Sequence, residues 1–562
     1  MNKIPIDNYF IADQFSLLSK LMDIHGENSF KARSYGAAAF NIEKLPEQLI
    51  LLPIEKIASL KGIGESVAKK IAEIIETGKL QALYEIISKT PPGVIEMLNI
   101  KGIGPKKIST IWKEMDIESI GELLYACNEN RLLLFKGFGA KTQQNVQEAI
   151  EFYFQNQGSF LYSEIEAIFP SVKAFLEKCF GETNVQVTGS YRRQLLTIDE
   201  LEFVLFSTKE LVRKAFQTTV PPELLEETEN SLFYKLKNGL KLRLFIESTK
   251  TCERQFLTTG SAIFTNSFLE KFPETDFTGT EADIFSNAGL NYIPPFLRES
   301  SNIINQAQNK ILFNTIQLTD IRGIIHSHSN WSDGSNTIEE MAKACIDKGY
   351  EYLVISDHSK AAAYAGGLSE QKIQEQHRYI DELNDTFSPF KIFKSIECDI
   401  LGDGNMDYSN TILATFDLVI ASVHSNLKMT EEKAMMRLIR AIENPYTTIL
   451  GHPTGRLLLS RNGYPIDHKK IIDTCAEHQV VIELNAHPRR LDVDWQWIPY
   501  AMEKNILLSI DPDAHTTEGF NDCRYGVLAA QKGGLTKENN LSSFSLIEFE
   551  AFLSKRKKTK KI

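Results

Sequence analysis

The segment His326-Ser327-His328-Ser329-Asn330-Trp331-Ser332-Asp333-Gly334 is the starting point for interpreting this sequence. It follows the short apolar run 321–325, which is typical of a buried strand. Because side chains alternate along a strand, His326 and His328 are predicted to share one face. Two imidazoles on one face at a strand end form half of a first-row metal site. On its own, however, this motif would more often be a polar turn after a strand.

The same pattern recurs through the C-terminal part of the chain. Six further apolar runs end in residue types that bind metals: 352–356 before Asp357-His358, 392–396 before Glu397-Cys398-Asp399, 418–423 before His424, 448–451 before His452, 480–482 before Glu483-Leu484-Asn485, and 506–510 before Asp511-Pro512-Asp513-Ala514-His515. Helical patterns such as Thr337 to Lys348 and Glu431 to Glu443 lie between most of these runs. Alternation of strands and helices predicts an α/β barrel or a doubly wound sheet. Polar residues at nearly every strand end favour the barrel, whose active sites lie at that rim.

Length and composition limit the class of protein. A chain of 562 residues is too long for one core and predicts about three to five domains. Ten of the eleven histidines follow residue 320, which places the metal chemistry in the C-terminal part. Seven dispersed cysteines without CxxC spacing indicate a reducing cytoplasm rather than a disulfide framework. Neither a signal peptide nor a membrane-spanning run is expected. With a net charge of −11, nucleic-acid binding would need local basic patches.

Three Gly-apolar-Gly turns lie in the N-terminal part, which is otherwise predicted to be helical, with amphipathic patterns at 10–22, 30–40 and 65–76. The turns and their lysines are Lys61-Gly62-Ile63-Gly64, Lys101-Gly102-Ile103-Gly104 and Lys136-Gly137-Phe138-Gly139. Glycines permit tight turns, and the N–H groups at a helix start attract phosphate. A Rossmann loop is disfavoured because no strand precedes and the third glycine is absent. One copy would fit a simple helix cap, whereas three copies resemble helix-hairpin-helix motifs, which hold the DNA backbone without reading sequence.

The central part changes character and is predicted to contain a small sheet. The run 184–188 reads as a strand that ends in the basic turn Gly189-Ser190-Tyr191-Arg192-Arg193. Glu200 and Glu202 are two residues apart on a second strand and therefore share a face. Such a pair could hold the divalent metal of nucleotidyl transfer, or it could form the exposed face of an edge strand.

The C-terminal motifs HSHSNWSDG, ISDHSK, SIECDILGDG, ASVHS, GHPTGRLL and DAH together resemble the PHP (polymerase and histidinol phosphatase) domain. The resemblance implies a distorted seven-stranded barrel that holds two or three metal ions. It implies His326, His328, Glu397 and Asp513 for the first ion, Glu397 as a bridge with His424 and His452 for the second, and Asp333, His358 and His515 for the third. Mixed imidazole and carboxylate ligands suit Mn or Zn. Clustered divalent ions generate hydroxide and clamp the oxygens of a phosphate.

Nearly the whole chain resembles a bacterial family X DNA polymerase fused to a PHP domain. The resemblance implies a helical lyase-like DNA-binding domain (1–80), helix-hairpin-helix fingers (81–154), a nucleotidyltransferase-like α+β palm (155–235), a thumb (236–318), a (β/α)7 PHP barrel (319–550) and a basic tail (551–562). Lys70 matches the lyase nucleophile of that family, although a lysine in such a helix is more often plain surface. The tail is predicted to be disordered, so that deletion after Leu553 would leave the fold intact.

The palm motifs depart from the family pattern. Gly189, Ser190, Arg193 and Thr259-Gly260-Ser261 match, but Glu200 and Glu202 stand where the family has aspartates, Lys241 replaces its third aspartate, and Thr265 and Leu269 replace an Asn and an Arg. Glu reaches further than Asp and octahedral Mg tolerates misplacement poorly, so Mg binding at the palm is doubtful. Lys241 would repel the ion and is predicted to pair with Glu200 or Glu202. Polymerisation is therefore expected to be impaired or lost, with the palm kept as a holder of DNA ends.

These observations predict a cytoplasmic DNA-repair enzyme. Its barrel would hydrolyse 3′-end phosphoesters as a 3′-5′ exonuclease, with abasic sites and 3′-phosphates as further substrates, on gapped, nicked or 3′-ended DNA held by the N-terminal motifs. Three alternatives stay open: an active gap-filling polymerase, a small-molecule phosphatase of the histidinol-phosphate type, and a non-catalytic DNA-end binding protein.

Overall fold

The computed structural model of the chain describes residues 6–561 except 44, 46, 61, 62, 156, 157, 218–220, 238, 249, 250 and 310–313. The chain forms two compact units, one of Met1–Asn128 with Leu132–Glu151 and one of Glu129–Arg131 with Phe152–Ile562. None of the helices within the described ranges is long and apolar enough to cross a membrane.

The first unit is helical, as the sequence predicts. Its helices are α1 (Asn8–His25), α2 (Ser29–Glu43), α3 (Ile54–Ala58), α4 (Glu65–Thr77), α5 (Gln81–Ile87), α6 (Pro92–Glu96), α7 (Pro105–Lys113), α8 (Ile120–Asn128) and α9 (Ala140–Gln155). α1 buries one face of apolar residues spaced three or four apart, and Phe15 packs on Tyr35 of α2 with ring centroids 5.8 Å apart. The Ser109 hydroxyl of α7 donates to the Ile24 carbonyl at 2.7 Å, which joins the two hairpin regions of this unit.

The second unit begins with a mixed sheet. Its elements are β1 (Phe160–Leu161), α10 (Tyr162–Phe180), β2 (Val185–Thr188), α11 (Gly189–Arg192), β3 (Thr197–Ile198), β4 (Glu200–Phe206), α12 (Lys209–Ala215), β5 (Glu223–Glu227), β6 (Ser231–Lys235) and β7 (Lys241–Glu247). The main sheet has the order β2-β4-β7-β6-β5, in which only β4 and β7 pair in parallel. β4 is a central strand, so the edge-strand interpretation of Glu200 and Glu202 is wrong. Because β7 lies beside β4, this sheet continues past the predicted palm boundary at residue 235.

Four helices follow the sheet: α13 (Thr251–Thr259), α14 (Ala262–Lys271), α15 (Glu281–Asn287) and α16 (Asn302–Gln308). They pack around a phenylalanine-rich core that includes Phe256, Phe268 and Phe285. The fully buried Arg298 lies 4.9 Å from the Phe285 ring and pairs with Glu281 at 2.7 Å. This pairing satisfies a charge that would otherwise be costly to bury.

The C-terminal part alternates parallel strands with helices. The strands are β8 (Gly323–Ile324), β9 (Tyr352–Ile355), β10 (Lys391–Lys394), β11 (Glu397–Asp399), β12 (Ile420–Ser422), β13 (Ile449–Leu450), β14 (Val481–Asn485) and β15 (Leu508–Asp511). The helices are α17 (Ile338–Asp347), α18 (Glu370–Phe387), α19 (Asn410–Leu413), α20 (Glu431–Glu443), α21 (His468–His478), α22 (Ile498–Glu503), α23 (Cys523–Lys532) and α24 (Leu546–Lys560). All seven predicted apolar runs form strands, one of them broken into β10 and β11.

These strands close into a distorted barrel. β8-β9-β10 and β11 to β15 form two parallel sheets, and isolated bridges join Ser327 to Ala514 and His358 to Glu397 across the gaps between them. The predicted seven-stranded α/β barrel is therefore confirmed. Alternate side chains fill its interior, where Ile325, Val354, Ile420, Ile449 and Val481 pack together.

The basic tail differs from its predicted disorder. α24 begins at a Ser545 capping box and packs against the start of β9, where the rings of Phe549 and Tyr352 stack with centroids 4.5 Å apart. Arg556 is 5% exposed and donates to the backbone carbonyls of Gln479 (2.6 Å) and Thr447. The prediction failed because the charge run was read alone, whereas every third or fourth residue of this helix faces the barrel.

We expect Arg556→Ala to destabilise the barrel by about 2–3 kcal/mol, because two buried carbonyls lose a charged donor. Deletion after Leu553 removes the same contacts and should also lower the thermal unfolding midpoint. The matched control is Lys558→Ala, since Lys558 lies on the same helix and is exposed. Equal midpoints for Arg556→Ala and Lys558→Ala would contradict this expectation.

Candidate functional site

All nine predicted metal ligands lie at the carboxyl ends of the barrel strands. His326, His328 and Asp333 follow β8, His358 follows β9, Glu397 follows β10 as the first residue of β11, His424 follows β12, His452 follows β13, and Asp513 and His515 follow β15. Parallel strands bring these ends to one rim of a barrel, which is why positions 189 residues apart in sequence (326 to 515) meet in space.

Glu397 lies at the centre of the cluster and is buried. Its Oε1 is 3.0 Å from His424 Nε2, 2.9 Å from His452 Nε2 and 3.3 Å from His326 Nε2. Its Oε2 is 3.0 Å from His358 Nδ1. The two carboxylate oxygens thus face different imidazoles, which is the arrangement of a bridging ligand.

Two further groups surround this centre. His328, Asp333, His358 and His515 form one group of potential ligand atoms, and His326, His328 and Asp513 form another. His515 Nε2 lies 3.4 Å from Asp333 Oδ1, and His328 Nε2 lies 3.1 Å from Asp513 Oδ1. His328 belongs to both groups, whereas the resemblance implies it for the first ion alone.

Hydrogen bonds among these side chains leave several buried donor and acceptor atoms unsatisfied, whereas a bound metal ion could satisfy them. Among the described residues, His326 Nε2, His358 Nδ1, His515 Nε2 and Glu397 Oε2 are buried without a hydrogen-bond partner. Buried polar atoms are rarely left in this state. Imidazole and carboxylate atoms that face one another at 3.0–3.4 Å can instead share one divalent ion. The residues therefore fit divalent metal ions.

Charge balance supports the same conclusion. Burial lowers the pKa of His328 to about 3, helped by His515 and His358, so this imidazole is in its neutral, ligating form. Burial alone would raise the pKa of Glu397, but the surrounding His424, His326 and His358 hold it well below its usual range. The carboxylate is thus ionised and available to a cation.

Two ligands adopt a backbone conformation that non-glycine residues rarely take. His326 has φ 60° and Asp513 has φ 52°. Such residues cost about 1–3 kcal/mol each and persist where the surrounding structure holds them for function. Here the neighbouring strands hold them: His328 N–H donates to the Ala514 carbonyl at 2.8 Å.

Three residues contact the predicted ligands or their loop, although the sequence pattern assigned them no role. Glu483 accepts from the His452 N–H and contacts His326 Nδ1, and Asn485 Nδ2 donates to Asp513 Oδ2 at 3.0 Å. Asp357 accepts from the N–H of Ser329 at 2.8 Å and so fixes the loop between His328 and Asp333. Glu483 and Asn485 alternate on β14, so the period-two pattern after run 480–482 was the signal for them. Partners of this kind orient metal ligands.

The described part of the glycine turns has the geometry of helix-hairpin-helix motifs. Gly64 and Gly104 are the N-caps of α4 and α7, and Gly139 directly precedes α9. The central residues Ile63, Ile103 and Phe138 are buried, whereas Lys101, Lys136 and the glycines Gly64, Gly102, Gly104, Gly137 and Gly139 are exposed. Lys61 and Gly62 lie outside the described residues. Lys70 is half-buried on α4, with Nζ 6.0 Å from the Tyr35 ring, and its lyase role stays a prediction.

The palm glutamates are held by partners other than the predicted one. Arg243, not Lys241, pairs with Glu200, with Nε 3.1 Å from Oε1, and its guanidinium lies 4.0 Å from the Phe233 ring. Lys241 is opposite Glu200 in the strand register, but its side chain runs beside Gly158. The prediction of a Lys241 pair is wrong: Lys241 and Arg243 share a face of β7, but the Lys241 side chain lies beside Gly158, and it is the Arg243 guanidinium that reaches Glu200.

The basic turn of the palm is also engaged internally. The Ser190 N–H donates to Glu202 Oε2 at 3.0 Å, so a carboxylate lies against the Gly189-Ser190 turn. Arg193 Nε donates to Glu299 at 3.1 Å and Nη1 to the Thr259 carbonyl at 2.7 Å. The Gly189-Ser190 turn and Arg193, which match the family pattern, are therefore both hydrogen-bonded to other groups of the protein.

Comparisons with known proteins agree with this layout. A helix-hairpin-helix domain model matches residues 6–80, a SAM-like helix-hairpin-helix tandem model matches 94–151, and a PHP domain model matches 325–519. PHP domains are metal-dependent, and the buried cluster could hold the ions.

Two kinds of protein are similar to this chain. The chain is 31% identical to the DNA polymerase/3′-5′ exonuclease PolX of Bacillus subtilis (strain 168), over 95% of this chain and 97% of that protein. Over its C-terminal part it is similar to a probable phosphatase of Thermoanaerobacter sp. (strain X514), with 26% identity over 38% of this chain and 86% of that protein. Since the first similarity spans both chains almost completely, this chain belongs to the bacterial family X DNA polymerases that carry a C-terminal PHP domain.

Proposed function

We propose that the barrel is a metal-dependent phosphoesterase that acts on DNA 3′ ends, and that the palm does not polymerise. One observation carries the proposal. Nine ligand-type side chains converge at the barrel rim, eight of them in groups that could hold an ion and the ninth, His452, against Glu397, while both palm glutamates are held by protein donors. Family membership supports an enzyme with phosphoesterase or exonuclease activity.

In the barrel, the residues named above would hold two or three Mn or Zn ions. Such ions would supply a hydroxide nucleophile near neutral pH and neutralise the charge of the phosphate. The chain's own residues do the positioning. Glu483 and Asn485 fix the ligands His326, His452 and Asp513, and Asp357 fixes the loop that carries Asp333.

In the palm, three features oppose polymerisation. Lys241 offers no oxygen ligand, and Glu200 is paired with Arg243. Burial raises the pKa of Glu202 to about 7, against the opposing effect of the Ser190 N–H. A carboxyl that is half protonated near neutral pH is a poor ligand for Mg. A phosphate would also have to displace Glu202 from the Ser190 N–H.

DNA would be held by the exposed lysines and backbone N–H groups of the glycine turns. Helix N-termini bind phosphate oxygens and need no base contacts, so binding would be independent of the DNA sequence.

A cytoplasmic location is part of the proposal. The seven cysteines are all free thiols, which agrees with a reducing compartment.

The second candidate is a small-molecule phosphatase. The similarity to probable phosphatases supports it, although that similarity extends only along the barrel. It gives no role to the helix-hairpin-helix regions. One assay separates the two. Purified protein with Mn is given a 5′-labelled primer–template, with and without dNTPs, and histidinol phosphate in a parallel reaction. We expect primer shortening from the 3′ end in both DNA reactions. Phosphate release from histidinol phosphate without primer shortening would overturn the DNA proposal.

The glycine turns provide a separate test of DNA holding. We expect Lys101→Ala with Lys136→Ala to weaken binding equally for unrelated DNA sequences, and to reduce the salt slope by about one per lost phosphate contact. Fluorescence anisotropy at several salt concentrations measures both quantities. Lys79→Ala with Lys89→Ala is the matched control, because these exposed lysines lie in the same unit away from the turns. An equal slope in the two double variants would assign Lys101 and Lys136 to a solvated face.

A further inference from the structure

The segment Glu129–Arg131 lies between α8 and α9 in the chain but is part of the unit that contains the barrel. Glu129 is 2% exposed, and its Oε2 lies 2.7 Å from Arg131 Nη2. Asn130 has φ 55°, a left-handed conformation that asparagine adopts more readily than most residues. The segment therefore forms a largely buried turn, and it lies outside the residues 325–519 that match the PHP domain.

Arg131 reaches Asp333, one of the residues implied for the third ion. Its Nε lies 3.9 Å from Asp333 Oδ2, the distance of an ion pair rather than of a hydrogen bond. Glu129 holds the guanidinium from one side, and the Tyr364 ring lies 4.9 Å from it. Because Glu129 balances the charge of Arg131, the pair adds little net positive charge beside residues that fit a cation.

Tyr364 extends this contact to His358, the second residue implied for the third ion. Tyr364 lies on the loop 359–367, which leaves His358 and returns to it, because the Leu368 N–H donates to the His358 carbonyl at 2.9 Å. A guanidinium is attracted to the face of an aromatic ring. The Arg131 guanidinium therefore helps to fix a loop that is closed on His358.

Asn130 makes the corresponding contact to the loop of His515. Its Nδ2 donates to Ser335 Oγ at 2.8 Å, and the Ser335 N–H donates to the His515 carbonyl at 2.8 Å. One turn of three residues thus reaches all of the residues implied for the third ion, directly or through one intermediate residue: Asp333, His358 and His515.

We propose that the segment Glu129–Arg131 organises the third metal subsite, formed by Asp333, His358 and His515, with Arg131 as the positioning residue of Asp333. This inference rests on the proposed phosphoesterase function, since it assigns what controls one of the ions. Removal of a residue that orients a metal ligand weakens metal affinity about 10- to 100-fold. The group centred on Glu397 would keep its ions without the segment.

Titration of Mn into the metal-free full chain tests the proposal, with free Mn measured by electron paramagnetic resonance. Asp333→Asn identifies the ion of the third subsite, because it removes a ligand directly. We expect Arg131→Met to raise the Kd of that same ion about 10- to 100-fold and to leave the other ions unchanged. Arg131→Lys, which keeps the charge, should restore part of the affinity. Arg322→Met is the matched control and should leave every Kd unchanged, since Arg322 is also paired, with Glu351, but precedes β8 at the opposite end of the strand.

Each outcome separates the possible roles of the segment. Wild-type Kd values for every ion in Arg131→Met overturn the proposal, and so does an Asp333→Asn variant that binds as many ions as wild type. Equal weakening of all ions, together with a lower unfolding midpoint of the metal-free chain, would assign Arg131 a purely structural role and also overturns it.

A second variant decides if Arg131→Met does not fold. Asn130→Gly removes the contact to Ser335, and glycine accepts a φ of 55° without strain. It should weaken the same ion, and wild-type affinity for that ion would overturn the proposal. If Arg131→Met weakened one ion but the wild-type chain hydrolysed no phosphoester, the proposed function would be overturned and the role of the segment would stand.

Discussion

We expect Glu397→Gln to reduce phosphodiester hydrolysis by at least about 1,000-fold, since loss of a bridging ligand removes several kcal/mol of metal-dependent stabilisation. Glu397 lies within 3.3 Å of four imidazoles: those of His326, His358, His424 and His452. The amide keeps the shape of the side chain but removes its charge. Metal content should fall together with activity, and Glu397→Ala should behave in the same way.

His328→Ala should also abolish hydrolysis, with a smaller loss of metal, because His328 approaches Glu397 Oε2 only at 3.6 Å and belongs to the outer groups. The measurements are initial rates on a labelled primer–template with Mn, and elemental analysis of each purified variant. His478→Ala is the control, since His478 lies in the last turn of α21, away from the cluster. If Glu397→Gln and His328→Ala both kept wild-type activity and metal content, the nine-residue site would be wrongly assigned.

The second large effect is an absence of DNA synthesis. We expect the His328→Ala variant, in which digestion cannot mask extension, to add no nucleotides to a primer–template with either Mg or Mn. Two-metal nucleotidyl transfer needs carboxylates that hold both ions. Here Lys241 replaces one carboxylate, Arg243 pairs with Glu200, and the Ser190 N–H pairs with Glu202.

Variants of the palm itself complete this test. In the His328→Ala background, Glu200→Gln with Glu202→Gln should change nothing, whereas in a working polymerase the pair would be essential. In the otherwise wild-type chain the same double variant should digest DNA at the normal rate. The palm would be functional if His328→Ala extended the primer on the template and the added Glu200→Gln and Glu202→Gln changes abolished that extension.

The reversion Lys241→Asp with Glu200→Asp and Glu202→Asp should gain some extension, because it removes the positive charge and restores ligands of the length that Mg requires.

Local sequence patterns predicted some elements of the structure correctly and missed others. The helices at 65–76 and 431–443 follow directly from local apolar spacing, and the structure places them at Glu65–Thr77 and Glu431–Glu443. Arg243 was missed because the pairing of β4 with β7 joins residues about 40 positions apart. Residues 551–562 were predicted to be a disordered tail because basic residues dominate their composition, whereas most of them continue α24, whose buried face includes Phe549 and Leu553.

The sequence by itself predicted the alternation of strands and helices in the C-terminal part and the ligand-type residues that follow its strands, because each strand is a local apolar run followed by a His, Asp or Glu. The full set of nine predicted ligands came from the resemblance to the PHP domain. Only the tertiary structure decided which of the ligand-type side chains lie together, and that Glu483 and Asn485 contact them. Those facts depend on loops and on strands brought together from distant parts of the chain, and side-chain direction in a loop has no period that a sequence can reveal.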